Sequence, residues 1–593
     1  MQSLGIQMII DGGTSPFIRN EQREIRQTFS NSFESDIVGV EESVKELVGK
    51  LVKNDNIQVI SISGMGGIGK TTLARQVFNH DKVRRRFDRF AWICISQQFT
   101  QKHVWQKILQ EFQPHDEVIL QMDENTLQGK LFQLLGKKRY LVVLDDIWKE
   151  EDWDRIKAVF PHKKGSKILL TSRNECVGLH ADPTCFIFRP RILTPEEGWK
   201  LWERIVFPSR EIGLSVYKEM EDMGKEMLTY CGGLPLAVKV LGGLLAKKHT
   251  VPEWKRVYDN IRAQIVGISG LDEDNLNSVY RVLSLSYEDL PMVLNQCFLY
   301  LAHFPEDYKI CKETLFIYWA AEGIITSFYD GSTIRDSGED CLEELVRRNM
   351  VLVEKNYLKS KFEYCQMHDM MREVCLSKAK KENYLQIVGG ATSTFTINAQ
   401  SPIRSRRLAV HSGNALCHIL GHKNNRKVRS LLVFGVEEVF WTQSSSGFQS
   451  LPLLRVLNLF KVKFEGGKLP SSIGELIHLR VLSLYMAQVS HLPSSLRNLK
   501  LLLSLNLAVV LGEPVHVPNV LKEMLELRYL SLPQLMDDKT ELELDCLVNL
   551  EALCSFSTQH SSVTNLLHMT KLRTLVVNLR ESCSYETLFG ISR

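Results

Sequence analysis

Six windows of the pattern L-x-x-L-x-(L/F/V) recur in the last third of the chain. Their first leucines are Leu454, Leu479, Leu502, Leu527, Leu550 and Leu572, spaced 25, 23, 25, 23 and 22 residues apart. A period held this long restricts the fold severely. Each window supplies one short strand and a return segment that cannot bury its apolar face alone, so the units stack into a solenoid. Leu469-Pro470, Leu492-Pro493 and Val517-Pro518 mark the return side at spacings of 23 and 25. The unit length is that of leucine-rich repeats. The repeat region, 426–593, stops at Arg593 without a polar cap, which a solenoid end needs. It is therefore expected to be truncated.

A second constraint lies near the other end. Gly64-Met65-Gly66-Gly67-Ile68-Gly69-Lys70-Thr71-Thr72 matches GxxxxGK[ST]. The apolar strand Ile57–Ser63 precedes it and the helical pattern Thr72–Phe78 follows, as a phosphate loop requires. Glycines let consecutive backbone N–H groups wrap phosphates, and the helix N-terminus adds positive potential. Lys70 reaches the β- and γ-phosphates and the Thr71 hydroxyl ligates Mg²⁺. Further strand candidates are Phe90–Ser96, Arg139–Leu144, Lys167–Ser172 and Cys185–Phe188, alternating with helical patterns. That alternation indicates βαβ units and a parallel sheet covered on both faces. The candidate Arg139–Leu144 runs into Asp145-Asp146. Asp145 is placed to hold the Mg²⁺ side of a nucleotide. Asp146 is a candidate to position or activate water, with a shorter reach than Glu. Arg173 follows Lys167–Ser172 at a carboxyl strand end, where ligands gather in such sheets, and could sense a terminal phosphate.

From 191 to 385 the pattern is mostly helical. Thr194 followed by Pro195, Glu196 and Glu197 reads as an N-cap, a Pro at N1 and an acidic first turn. Residues 386–425 are rich in Ser, Thr, Asn and Arg, and residues 1–32 are polar and irregular. His368, beside Asp369, suggests nothing special on its own. Trp148 reads as a core aromatic that happens to follow the aspartate pair. Charge nearly balances, 73 Lys+Arg against 69 Asp+Glu, so no nucleic-acid partner is expected. The longest apolar runs fall short of a membrane span. The 13 cysteines form no CxxC pair, the N-terminus makes a poor signal peptide, and no Asn-x-Ser/Thr occurs. These features together read as an intracellular chain with reduced thiols. There is no His/Cys metal spacing, no GxSxG elbow and no kinase motif set.

The order of these features resembles a family. Val38-Gly39 precedes Gly64–Thr72; then come Leu141–Trp148, Gly165–Arg173, Gly233-Leu-Pro235-Leu-Ala237, Cys297–Pro305, Met367-His368-Asp369 and the repeats. This is similar to plant nucleotide-binding leucine-rich repeat immune receptors of the coiled-coil class, especially those directed against downy mildews and viruses. The resemblance implies a multidomain α/β fold: a P-loop NTPase parallel sheet, helical and winged-helix subdomains, then a leucine-rich repeat solenoid. On that pattern, 33–190 is the nucleotide-binding domain, 191–265 the helical subdomain and 266–385 the winged-helix subdomain. Residues 386–425 are a linker or irregular repeat, and 1–32 the remnant of an N-terminal helical domain that is otherwise missing. The resemblance further implies an ADP-bound resting state, exchange for ATP or dATP with Mg²⁺, and oligomerisation that triggers defence and the hypersensitive response. It carries nucleotide contacts onto Val38, Gly64, Gly66, Gly67, Ile68, Gly69, Lys70, Thr71, Thr72, Arg173, Pro235 and His368, and metal contacts onto Thr71 and Asp145. His368 would hold the β-phosphate of ADP, and Pro235 the base side. Where some relatives carry Arg after the glycine of Val38-Gly39, this chain has Val40. The implied partners are a pathogen effector or a guarded host protein, bound through the repeats. The implied location is cytoplasmic, with peripheral contact at the plasma membrane.

Two other readings stay open at this level. One is an ATPase whose turnover is its function, against which Asp146 in place of Glu argues. At most, a slow hydrolysis used for switching is expected. The other is a nucleotide-independent repeat scaffold or decoy, against which intact Lys70 and Thr71 argue.

Overall fold

The structure, a computed structural model, describes residues 7–11, 37–53, 57–95, 99–113, 117–208, 214–266, 275–306, 308–325, 333–353, 363–388, 396–397, 405–411, 425–441, 447–509 and 514–578. Five parallel strands form the first sheet: β1 (Val59–Ser63), β2 (Arg89–Cys94), β3 (Tyr140–Ile147), β4 (Lys167–Ser172) and β5 (Phe186–Phe188). Their order is β2-β3-β4-β1-β5. Every residue of β1, β3 and β4 is buried, as expected of strands covered on both faces. The carboxyl ends of these three central strands bring the phosphate loop, the aspartate pair and Arg173 to one edge. β3 runs three residues beyond the expected Leu144. Its ladder continues with Cys94 opposite Asp145 and Ile147 opposite Ser172, across a register break after Leu144.

Helix α1 (Lys70–Phe78) follows the phosphate loop. Helix α2 (Pro195–Val206) begins with a capping box in which Thr194 and Glu197 satisfy each other's backbone N–H. Helix α3 (Pro235–Leu245) is apolar apart from Lys239, with nine buried residues. Such a helix belongs inside. It joins Trp202 and Trp254 with Phe298, Phe316 and Trp319 in one core that unites the helical region and the segment after it. That segment holds a three-stranded antiparallel sheet, Ile310–Cys311, Leu352–Val353 and Tyr364–Gln366, with the last strand central. Helix α4 (Lys312–Glu322) follows the first of these strands and helix α5 (Asp369–Lys381) the last.

The six repeat windows become six adjacent parallel strands in a common register. Leu457, Leu482, Leu505, Leu530, Leu553 and Leu575 pair in series. All six are buried in one continuous apolar core. Single-turn helices at Ser471–Glu475 and Ser494–Asn498 follow Pro470 and Pro493 on the return side. The sheet also takes strands Gln386–Val388, Thr396–Ile397, Arg407–Val410 and Ser430–Trp441. At its far edge Gln7–Asp11 pairs in parallel with Thr574–Asn578; nothing else of residues 1–32 is described.

The solenoid docks on the end of α4. Glu322 is buried and paired with Arg407 at 2.7 Å, and the Ser430 hydroxyl donates to the same carboxylate. Arg455 donates to the Glu322 carbonyl at 3.0 Å, satisfying a group that the helix end leaves orphaned. Asn458 donates to the Tyr318 hydroxyl at 3.2 Å. Two histidines lie in this seam, His411 Nε2 standing 3.0 Å from the His303 carbonyl. Burial pushes His303 down to about 3 and His411 down to about 4. The nearby cations Arg407 and Arg372 push the same way. Both rings are neutral when folded, whereas the unfolded chain takes up protons below about pH 6.5. Their contribution is therefore complete above pH 6.5 and is lost as pH falls toward 4, by about 2 kcal/mol per histidine at pH 5. Denaturant titrations at pH 7.5 and pH 5 should show this loss, and His411→Gln should remove about half of it. An unchanged pH slope in that variant would count against the assignment.

Candidate functional site

Gly67 and Gly69 lie at φ of 75° and 97°, left-handed geometry that glycine adopts without a steric cost. Gly69 is the residue from which α1 starts. Lys70 projects back over the loop and donates to the carbonyls of Gly64 at 2.9 Å and Met65 at 3.0 Å. An ammonium has three N–H donors, so one remains for an anion. Burial lowers the Lys70 pKa, while Asp146 and Asp145 counter that effect. A buried cation held by two neutral carbonyls is suited to receive phosphate.

Thr71 donates to Asp145 Oδ1 at 2.9 Å. The Thr171 hydroxyl donates to that same oxygen, and Cys94 Sγ stands 3.6 Å from the other carboxylate oxygen. A hydroxyl beside a carboxylate is a hard-oxygen donor set, the type that Mg²⁺ takes. Asp146 occupies the register break of β3 with φ of 63°. Its N–H donates to Thr171 Oγ1 at 2.8 Å, and its charge acts on both Lys70 and Arg173. A non-glycine residue in this conformation costs of order 1 kcal/mol and is found where a site demands it.

Arg173 points from the end of β4 to α5. Its guanidinium pairs with Asp369 at 2.6 Å, and lies 3.6 Å from Glu373 and 3.9 Å from Glu306. Burial depresses its pKa, but Asp369, Asp146 and Glu306 outweigh this and leave it raised. On another side the guanidinium lies 4.5 Å from the centre of the Trp148 ring. A methyl on Gly66 would stand 3.7 Å from the guanidinium carbon and 3.3 Å from the sulfur of Met370. His368 is the N-cap of α5, its Nδ1 accepting from the Met370 N–H at 3.3 Å.

Pro235 opens α3, and the next N–H, that of Leu236, donates to the Gly67 carbonyl at 3.3 Å. A methyl on Gly67 would lie 3.0 Å from Leu236 Cβ. Half-buried Val38 and Ile68 pack on the core that contains α3, and Gly64 neighbours Ile68. Gly39 approaches the Glu197 carboxylate so closely that a methyl there would fall within 2.8 Å of it. Arg191 holds that carboxylate with two hydrogen bonds, 2.5 and 2.7 Å long. Thr72 continues α1, half-buried. One loop is thus covered by its own sheet, by the start of α3 and by the start of α5. Glu306, Glu373 and Met370 belong to this assembly and carry no motif signal of their own; Trp148 and Leu236 lie within the segments Leu141–Trp148 and Gly233–Ala237, but their contacts are found only through the fold.

These features define a P-loop nucleotide-binding protein joined to a winged-helix unit and a leucine-rich repeat solenoid. Family models agree along the chain: an NB-ARC domain matches 40–211, a disease resistance protein winged-helix domain 304–375 and a leucine-rich repeat region 427–589. Disease resistance RPP8-like protein 3 of Arabidopsis thaliana is 72% identical over 99% of this chain and 64% of its own length. Disease resistance protein RPP8 of the same plant is 71% identical over 99% of this chain and 65% of its own. An inactive LOV1-type disease susceptibility protein is 67% identical over 98% of this chain and 81% of its own. The chain belongs to the NB-ARC leucine-rich repeat disease resistance proteins of plants and is similar to their RPP8-like members. It spans about 65% of the length of the RPP8-like relatives. No helix among the described residues is long and apolar enough to cross a membrane.

Proposed function

We propose that this chain is the switch and sensor portion of an intracellular plant immune receptor, closed on ADP at rest and opened by exchange for ATP. The observation that carries this reading is the Arg173–Asp369 pair. It ties the nucleotide sheet to the winged-helix unit directly over the phosphate loop. The group suited to read a terminal phosphate is engaged by a carboxylate of the closed state. ATP therefore competes with Asp369 for Arg173 and ADP does not, so the two nucleotides favour different states by mass action. In this reading Lys70 and the loop amides hold phosphate, while Thr71 and Asp145 hold Mg²⁺, which neutralises phosphate charge. Pro235 and Val38 flank the base side, and His368 approaches the β-phosphate from the cap of α5. Asp146 is positioned to orient water for slow turnover. The repeats present the surface for an effector or a guarded host protein, and the opened form assembles with further copies.

Identifying the nucleotide released on denaturing the purified protein tests this reading. Near-stoichiometric ADP is expected. A protein that folds but releases none would overturn it and favour the scaffold reading. His368→Ala should raise the ATP share of bound nucleotide when the protein is incubated with an equal mixture. The same ADP share in mutant and wild type would remove His368 from the nucleotide.

A further inference from the structure

We propose that Trp148 is the positioning residue for Arg173, holding its guanidinium over the phosphate loop in both states of the switch. This rests on the reading of Arg173 as the group that meets a terminal phosphate. Trp148 immediately follows β3, and its ring lies 4.5 Å from the guanidinium carbon. Gly66 borders the same guanidinium, and Asp369 holds one of its nitrogens. Glu373 and Glu306 stand 3.6 and 3.9 Å away, and together these contacts leave a narrow path.

An arginine that lost Asp369 in a solvent-filled cleft would take up many rotamers, at a cost of up to about 2 kcal/mol to reorder. A ring beneath it removes most of that freedom. A planar cation slides over an aromatic face with little loss of attraction, because the ring quadrupole attracts it without fixed hydrogen-bond directions. Carboxylate and phosphate can then exchange as in-plane partners while the stacking persists.

The Trp148 indole nitrogen is itself buried and finds no acceptor among the described residues. A buried indole usually secures one. The side chain thus contributes its face here, and a phenyl ring should substitute for it.

The test is a double-mutant cycle on the full chain, reading affinities for fluorescent ADP and for a non-hydrolysable ATP analogue. Trp148→Leu should weaken ATP-analogue binding about tenfold, as expected of a desolvated cation–π contact. ADP affinity should change less than threefold. Trp148→Phe should stay within threefold of wild type for both nucleotides, and it also guards against a folding defect in the leucine variant. In an Arg173→Ala background, Trp148→Leu should add nothing further. An equal additional loss in that background would mean that Trp148 acts through general packing, and would overturn the proposal. So would an unchanged ATP preference in Trp148→Leu while Arg173→Ala shifts it; the reading of Arg173 would then survive alone. Arg173→Ala with an unchanged ATP preference would sink the parent reading, and the positioning role with it.

Discussion

Asp369→Ala is expected to exchange bound ADP about 30-fold more readily than the wild type. The side chain is one of three carboxylates around Arg173, but it alone makes a contact as short as 2.6 Å. Breaking a fully buried pair costs about 3–5 kcal/mol. Arg173 keeps about a quarter of its side-chain surface, and Glu373 and Glu306 remain 3.6 and 3.9 Å away. A discounted value of about 2 kcal/mol follows, which is a factor of about 30 in the closed-to-open ratio. Asp369 also supplies the negative charge in the first turn of α5, worth a few tenths of a kcal/mol more. The measurement is the release of labelled ADP into excess ATP. Asp369→Glu should recover part of the effect, because it restores the charge on a side chain one methylene longer, which shifts the carboxylate from its 2.6 Å contact. If thermal stability falls while the release rate holds at the wild-type value, Asp369 is a structural cap and the pair does not set the switch.

The parts of this site differ in how readable they were, and the reason is sequence distance. The phosphate loop, Asp145 and the repeat strands are local patterns: a glycine rhythm, an apolar run into carboxylates, a leucine period. The strand ending in Asp145-Asp146 was legible, but its stopping point was not. Two aspartates look like the end of a buried strand, yet Ile147 returns to the ladder opposite Ser172 after a register break. Arg173 was legible as a strand-end cation. Its partner, 196 residues away, was not, because nothing in either segment encodes the other. The same holds for Gly39 against Glu197 and for Glu322 against Arg407. In each case neither local segment names its partner until tertiary packing brings the two together. The strands before Leu454 were obscured differently. Gln386–Val388, Arg407–Val410 and Ser430–Trp441 pair as the repeats do, Gln386 opposite Leu408, Arg407 opposite Ser430 and Ser430 opposite Val456, but Asn383, Ser405 and Val428 stand where the repeats carry their first leucine, so the motif does not announce them. The strand Gln7–Asp11 has only its backbone ladder to the last repeat strand to mark it.

Lys70→Ala is expected to purify folded and without nucleotide, its affinity lowered at least 100-fold. The substitution removes the ammonium that offers a donor to phosphate, and charge-assisted hydrogen bonds are about twice as strong as neutral ones. One such bond to a phosphate oxygen, worth up to about 3 kcal/mol, accounts for a loss of that size. The local cost to folding is smaller. The Gly64 and Met65 carbonyls lose their lysine donor, but Met65 is exposed to water, and the Gly64 N–H still donates to the Ser172 carbonyl, which keeps the loop anchored to the sheet. The solenoid, whose core is separate, should unfold at the wild-type denaturant concentration. Thr71→Ala separates phosphate from metal. It leaves Lys70 in place, so ADP should still bind, but the gain in affinity on adding Mg²⁺ should shrink about tenfold, because one of two proposed oxygen ligands is gone. Undiminished ADP in Lys70→Ala would displace the nucleotide from this loop altogether. An Mg²⁺ effect unchanged in Thr71→Ala would instead leave the phosphate contacts standing and move the cation away from Asp145.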